Sequence, residues 1–149
     1  MYSHILLPTD GSGVSAKGIR EGVRVAKRLG ARVTGVYVTP PFVPPIYSEG
    51  AAFYSGSFSS REYRKIVQKI AKRYLAVIER AARKARVRCR TLLATDHLPW
   101  QGILRTARAR KCDLIVMASH GRSAMGGLIL GSETTQVLAR SKIPVLVVR

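Results

Sequence analysis

Five short apolar or β-branched runs punctuate the chain, at residues 3–8, 32–38, 87–94, 114–118 and 145–148. Each is four to eight residues long and nearly continuous in its apolar character, which is how strands buried on both faces read. Between most of them the apolar positions recur at three- and four-residue steps. The first such stretch starts near Gly13, places Ala16, Ile19, Val23 and Ala26 on one side, and stops at Gly30. A second covers about residues 60–86, with Ile66, Ile70, Tyr74, Val77 and Ala81 as its expected buried stripe. A third begins at Pro99, a favourable first-turn residue, and reaches about Lys111 with Ile103, Leu104 and Ala107 inside. A fourth, shorter one follows Ser132 and ends near Arg140.

Strands alternating with helices predict a mostly parallel sheet covered on both faces, a doubly wound α/β fold of five strands and four helices. In such sheets ligands sit beyond the carboxyl ends of the strands, where strand order reverses. The 149 residues are expected to form a single domain, 1–149. One segment, residues 39–59, breaks the alternation. It holds Pro40, Pro41, Pro44 and Pro45, then Gly50 and Gly56, with Tyr47, Phe53, Tyr54 and Phe58 among small polar residues. The prolines bar regular structure there. Two readings stand: a lid or partner surface, or a variable connection packed by its own aromatics.

Charge changes this picture in one respect. Lys and Arg number 26 against 8 Asp and Glu, a formal net charge of +18. Residues 61–90 alone carry twelve of the cations and only Glu62 and Glu79. Such an excess bears on partners rather than on fold. It allows an acidic partner, lipid headgroups or nucleic acid at the basic helix. With only Tyr63 and Tyr74 interleaved, sequence-specific base reading is not expected. No apolar run approaches the ~18 residues of a membrane span, and the N-terminus is a poor signal peptide, broken by Pro8. The cytoplasm is therefore the expected compartment. Cys89 and Cys112 read as buried filler, and no Cys/His spacing suggests zinc.

Two turns could carry chemistry. The first reads Pro8-Thr9-Asp10-Gly11-Ser12-Gly13, and Gly11-x-Gly13-x-x-Ala16 formally matches a dinucleotide fingerprint. The second strand lacks the acid that would bind a ribose hydroxyl, which argues against nicotinamide or flavin. Asp10, at the end of a central strand, can face a ligand or serve only the turn. The second turn is the stronger signal. Ala118-Ser119-His120-Gly121 is followed by nine residues, Arg122 to Leu130, and then by Gly131-Ser132-Glu133-Thr134 opening a helix. Backbone N–H groups and the helix dipole make such a start attractive to phosphate. Ser132 and Thr134 can add hydroxyls or merely cap the helix.

The spacing Ala118-x-x-Gly121, nine residues, Gly131-Ser132, with the closing Ile143-Pro144-Val145-Leu146-Val147-Val148, resembles the nucleotide-binding universal stress proteins. Ile5-Leu6-Leu7-Pro8-Thr9-Asp10-Gly11-Ser12 and Cys112-Asp113-Leu114-Ile115-Val116-Met117 are similar to that family's first and fourth strands. The resemblance implies strand order 3-2-1-4-5. It implies ATP or another adenine nucleotide as ligand, with Mg²⁺ as a companion. Adenine would meet the backbone of Val38 beside Pro8, Thr9 and Asp10. Met117 and Ala118 would line the ribose, and Gly121, Gly131, Ser132, Glu133 and Thr134 would wrap the phosphates. The last strand, ending in Val148, would pair across a two-fold axis into a homodimer. Two residues depart from the pattern. Ala118 replaces the first glycine of the motif, and Glu133 brings a negative charge that Arg122 or a metal would have to offset. These departures keep open a dimeric interaction protein without nucleotide. No general base stands beside the phosphate turn except His120, so ATP hydrolysis is expected to be absent or very slow.

Overall fold

A computed structural model describes residues 1–44, 59–119 and 131–149. His120, Gly121, Arg122, Gly126, Gly127 and residues 45–58 of the proline-rich segment lie outside the described residues. The order of elements is β1 (His4–Pro8), α1 (Gly13–Leu29), β2 (Arg32–Thr39), α2 (Ser60–Ala85), β3 (Cys89–Thr95), α3 (Pro99–Ala109), β4 (Leu114–Ala118), α4 (Ser132–Arg140) and β5 (Val145–Val148). The five strands are all parallel and lie in the order β3-β2-β1-β4-β5. Strand order therefore reverses between β1 and β4, as the doubly wound reading required.

Each face of the sheet carries its own core. On one side, Ile5, Leu7, Val33, Leu114 and Val116 meet α1 and α2 through Ile19, Val23, Leu75 and Ile78. On the other, Leu6, Val36, Ile115 and Met117 meet α3 and α4 through Ile103, Leu104 and Val137. Adjacent strand residues point to opposite cores because side chains alternate with period two.

The helices end where their chemistry predicts, with two corrections. Gly30 closes α1 in the left-handed region (φ 66°), and Ala31 donates back to the Ala26 carbonyl at 2.9 Å. Arg86 does the same for α2 at φ 58°, without being glycine, and Val87 donates to the Ala82 carbonyl at 2.9 Å. Val87 is thus spent closing the helix, and β3 starts at Cys89 rather than at 87. The second correction concerns the α2 stripe. Apolar residues on this helix come in adjacent pairs, which define two stripes about 100° apart. The buried one is Val67, Ala71, Leu75, Ile78 and Ala82, one residue on from the expected set. Ala71 and Ala82 let the helix sit close to the sheet. The other stripe forms the flank: Tyr74 stands edge-on to Tyr37 with centroids 5.2 Å apart, and Ile66 is left 48% exposed.

The seam between β1 and β4 is short, pairing only Ile5 with Leu114 and Leu6 with Ile115. On its other side β1 stays in register with β2 from His4–Arg32 to Pro8–Val36. The Thr9 amide still donates to the Val36 carbonyl at 2.9 Å. Backbone groups alternate sides along a strand, so Thr9 faces β2 and Pro8 faces β4. Proline has no N–H to give, and the ladder stops there. Helix α1 lies across this seam at close range. A methyl group on Gly18 would fall 2.9 Å from the Ala118 amide nitrogen, and one on Gly22 would fall 2.3 Å from Leu7 Cδ2.

At the opposite end of β1, His4 is 5% exposed, and its Nε2 pairs with Thr34 Oγ1 at 2.7 Å. Nδ1 is buried and has no partner among the described residues. Burial, and then the nearby Arg32 charge, hold the His4 pKa below its ordinary 6.5, with Asp113 pulling the other way.

Two outcomes follow. Gly18→Ala should destabilise the fold by about 1–3 kcal/mol through overpacking. Gly13→Ala, with nothing within 4 Å of the new methyl, should be neutral or gain up to ~1 kcal/mol; urea denaturation of both variants checks this. The His4 contribution to stability should be fully present above pH 6.5 and decline as pH falls through the lowered pKa, because only the unfolded chain then takes up the proton. Denaturation midpoints between pH 7.5 and 5 should show that loss, and His4→Gln should flatten it.

Candidate functional site

The turn after β1 is held by its own hydroxyls. Gly11 N–H donates to Thr9 Oγ1 at 3.1 Å, and Thr9 Oγ1 lies 3.1 Å from Ser15 Oγ. Ser12 caps α1 by accepting from the Ser15 amide at 3.1 Å, while Ser15 Oγ donates to the Ser12 carbonyl at 2.9 Å. Asp10 Oδ1 accepts from the Ser12 amide at 2.9 Å, which makes Asp10 a turn residue in this chain. Burial raises its pKa, but the Ser12 hydroxyl and amide and the Ser15 hydroxyl outweigh it and hold the carboxyl below its ordinary value. Asp10 is therefore a charged carboxylate at the open end of β1. Gly11, at φ 76°, takes the conformation that lets the turn close over the Tyr74 ring.

Val38 lies two residues beyond the Val36 carbonyl that accepts from Thr9. The next residue, Thr39, points its carbonyl to the β3 side, where it accepts from the Asp96 amide at 3.0 Å. Alternation turns the N–H and C=O of Val38 the other way, toward β1 and past its last strand residue. Its side chain packs on α3, where a methyl on Gly102 would come 2.6 Å from Val38 Cγ1. Val38 thus offers a backbone edge, not a side chain, over Thr9 and Asp10.

On the far side of the seam, β4 and α4 are joined at their near ends. Thr134 is 3% exposed, and its hydroxyl donates to the Ala118 carbonyl at 2.8 Å. The Gly131 amide donates to the Ser119 carbonyl at 2.5 Å, and the Ser119 amide donates to Val148 of β5 at 2.7 Å. Ser119 and Gly131 are therefore held together at the end of β4. Gly131 is the N-cap of α4 and offers no side-chain cap, and the first helical bond is Thr135 N–H to the Gly131 carbonyl at 3.0 Å. The amides of Ser132, Glu133 and Thr134 lie outside that ladder, at the positive end of the helix dipole. They lie at the end of β4, to which Thr134 and Gly131 tie the helix.

Both departures from the family pattern have structural answers. Ala118 keeps ordinary strand geometry, since Arg86 and Lys111 are the positive-φ non-glycine residues among those described. Its methyl lies against α1, where Gly18 leaves room. Met117 points to the opposite core. The Glu133 carboxylate turns away from the helix start it belongs to. Its Oε2 accepts from the Trp100 amide at 2.7 Å and caps α3, whose own N-cap Leu98 has no capping side chain.

Pro8, Thr9, Asp10, Val38, Met117, Ala118, Gly131, Ser132, Glu133 and Thr134 thus all lie at the carboxyl edge of the sheet. Gly121 and Arg122 fall outside the described residues. Sequence reasoning missed Ser15 and Ser119, whose roles are visible only once β1, β4 and α4 are adjacent. Asp96 and Arg105 were also missed. They pair at 2.7 Å beyond β3, where Arg105 also donates to the Thr95 carbonyl at 2.6 Å. Among the described residues no three His, Cys, Asp or Glu side chains cluster as metal ligands, and no helix is long and apolar enough to cross a membrane.

Known proteins share this arrangement. Universal stress protein MJ0531 of Methanocaldococcus jannaschii is 30% identical over all of this chain and 83% of its own length. A universal stress protein of Thermus aquaticus is 32% identical over the full length of both. Among solved structures, universal stress protein UspA from Lactobacillus plantarum superposes with a TM-score of 0.76 at 23% identity, covering 99% of this chain and 98% of that one. A universal stress protein in complex with cAMP gives 0.68 at 20% identity over 99% and 97%. The Archaeoglobus fulgidus protein in complex with dAMP gives 0.67 at 17% over 99% and 98%. These structural likenesses carry the fold. The family model for the universal stress proteins matches residues 1–149, and the chain belongs to that family.

Proposed function

We propose that this chain is an adenine-nucleotide-binding regulatory module of the stress response, with ATP as ligand at the crevice between β1 and β4. The observation that carries the reading is the start of α4. Three amides outside the helical ladder are held at the end of β4, and the carboxylate on that same helix turn, Glu133, caps α3 instead. The Val38 backbone edge suits the hydrogen-bonding rim of adenine. Ser132, exposed at the first turn, can add a hydroxyl to the phosphates, with Gly121 and Arg122 completing the wrap. That two relatives of the same fold are described in complex with cAMP and dAMP supports an adenine ligand. Mg²⁺ would arrive with the phosphates, since the described residues hold no ligand cluster of their own. In this reading the crevice residues bind and orient, Asp10 serves its turn, and the nucleotide is a regulatory ligand whose hydrolysis is absent or very slow.

Equilibrium dialysis should show ATP retained at submillimolar concentration, with a thermal shift that grows with ligand. No retention at millimolar ATP would sink the reading in favour of a dimeric interaction protein. Gly131→Val should weaken retention at least tenfold by crowding the amides. Glu133→Gln should leave ATP affinity within about threefold of wild type while lowering the melting temperature, because its carboxylate serves α3. A tenfold gain in affinity would place that charge against the ligand instead.

The reading also includes a homodimer through β5. This strand is the outer one of the sheet, its ladder bonds go to β4, and Leu146 is 41% exposed on it. Sedimentation equilibrium should give twice the chain mass, and Val147→Pro should return a monomer by removing an edge donor.

A further inference from the structure

The two faces of the molecule differ in how many cations their helices carry: fourteen exposed ones on α1 and α2, against Arg105, Arg108 and Arg140 on α3 and α4. On the α3/α4 side, Arg105 pairs with Asp96 at 2.7 Å, and Arg140 lies 4.7 Å over the Trp100 ring and donates to Gln136. On the α1/α2 side the cations are solvated. Helix α1 exposes Lys17, Arg20, Arg24, Lys27 and Arg28, and α2 exposes all nine of its Lys and Arg residues between Arg61 and Lys84. Among the described residues, Arg24 is the only one of these fourteen in an ion pair, with Glu21 at 3.1 Å. The other acids of the face are held by neutral groups. Glu62 accepts from the Ser59 amide and hydroxyl at 2.8 and 2.9 Å, and Glu79 accepts from the Thr91 hydroxyl at 2.6 Å.

These charges form a surface. At 100° per residue, eight of the nine α2 cations fall in an arc of about 140° opposite the buried stripe. The α1 cations oppose Gly18, Ile19, Gly22, Val23 and Ala26 in the same way. Both helices pack on the same side of the sheet, so both arcs look outward together. Helix α2 alone is about 39 Å long, the length of about 11 base pairs of duplex.

We infer that the outer face of α1 and α2 binds the phosphate backbone of double-helical nucleic acid without reading its sequence. Charge complementarity over that length favours a rod of regularly spaced phosphates. Nothing on the face favours single strands, which need outward aromatic platforms. The Tyr63 hydroxyl donates to the Pro40 carbonyl at 2.6 Å and its ring meets Phe42 at 5.5 Å, while Tyr74 is engaged by Tyr37. A membrane surface is disfavoured because the apolar side of α2 is buried in the core and cannot insert. The inference does not depend on nucleotide binding in the crevice.

Fluorescence anisotropy with a labelled 24-base-pair duplex tests it, read from 50 to 200 mM salt. With six or more phosphates engaged, affinity should fall about 10³-fold over that range, and the matching single strand should bind more weakly. Lys69→Glu, Lys72→Glu and Arg73→Glu together should abolish binding. Arg108→Glu, Arg110→Glu and Lys142→Glu, which change the net charge equally on the other side, should leave most of it. Thermal melts confirm that both triples fold. Equal losses from the two triples would overturn the inference by showing that total charge alone is at work. Binding to phosphatidylserine vesicles without binding to the duplex would overturn it in favour of a lipid surface, and so would duplex binding that is flat in salt.

Discussion

A proline that cannot donate a hydrogen bond divides this sheet at the place where its strand order reverses. Pro8 faces β4, and the β1–β4 ladder ends after Leu6–Ile115, while the β1–β2 ladder runs on to the end of β1. Two carbonyl ends of neighbouring strands are thereby left apart, and every other feature of the crevice accommodates that gap. Helix α1 closes it from one face, which is possible only because Gly18 and Gly22 have no side chains to hold the helix off Ala118 and Leu7. From the far side, Thr134 and Gly131 tie α4 to the last carbonyls of β4. The bonds are ordinary ones, each worth about 1 kcal/mol net. Their effect is positional: they aim the start of α4 at the gap.

The acids of this chain do structural work, and that sets its electrostatics. Asp10 closes the first turn, Glu62 completes the capping box of α2, Glu133 caps α3, and Asp113 accepts from the Ser3 and His4 amides at 2.8 and 2.9 Å. In each case the partner is a backbone N–H, which a carboxylate satisfies more strongly than a neutral acceptor does. With these four of the eight acids so engaged, the ion pairs among the described residues are Arg24 with Glu21 and Arg105 with Asp96. The +18 charge is not a uniform decoration. Twelve of the 26 cations lie within residues 61–90.

How much of this could be read beforehand varied with the range of the interaction. Element boundaries set by local chemistry were legible: Gly30 ends α1, Pro99 begins α3, and the apolar runs are the strands. The α2 stripe was misread because its apolar residues come in adjacent pairs. Periodicity fixes the period of such a pattern, not which of two neighbouring stripes faces the sheet; Gly35 of β2, where an added methyl would fall 2.7 Å from Ile78 Cδ1, makes room for the stripe that is buried. Ala118 was legible as a departure, but its packing was not, since the space beside its methyl comes from Gly18, a hundred residues earlier. Glu133 was legible as a charge beside a helix start, yet the amide it serves belongs to the neighbouring helix. In these three cases the deciding partner is distant in sequence, whereas the start of β3 turned on the local Val87–Ala82 bond. Strand order itself came from the resemblance to a family and not from spacing.

A chain this basic attracts every anion, so charge cannot be what lets its crevice choose one. Screening leaves a Debye length of only about 8 Å at physiological ionic strength, and the solvated α1/α2 face competes for the same ligands. What distinguishes the crevice is fixed backbone: the inward edge of Val38, the turn closed by Thr9 and Ser15, and the amides of α4 held by Ser119 and Ala118. Preorganised dipoles of this kind discriminate by shape and by hydrogen bonds to a base, which a mobile lysine on an open helix cannot do. The proposed crevice and the basic face thus lie on different parts of the fold. The crevice lies at the edge of the sheet, where the charged Asp10 closes its own turn, and a highly charged face lies on the flank of α1 and α2.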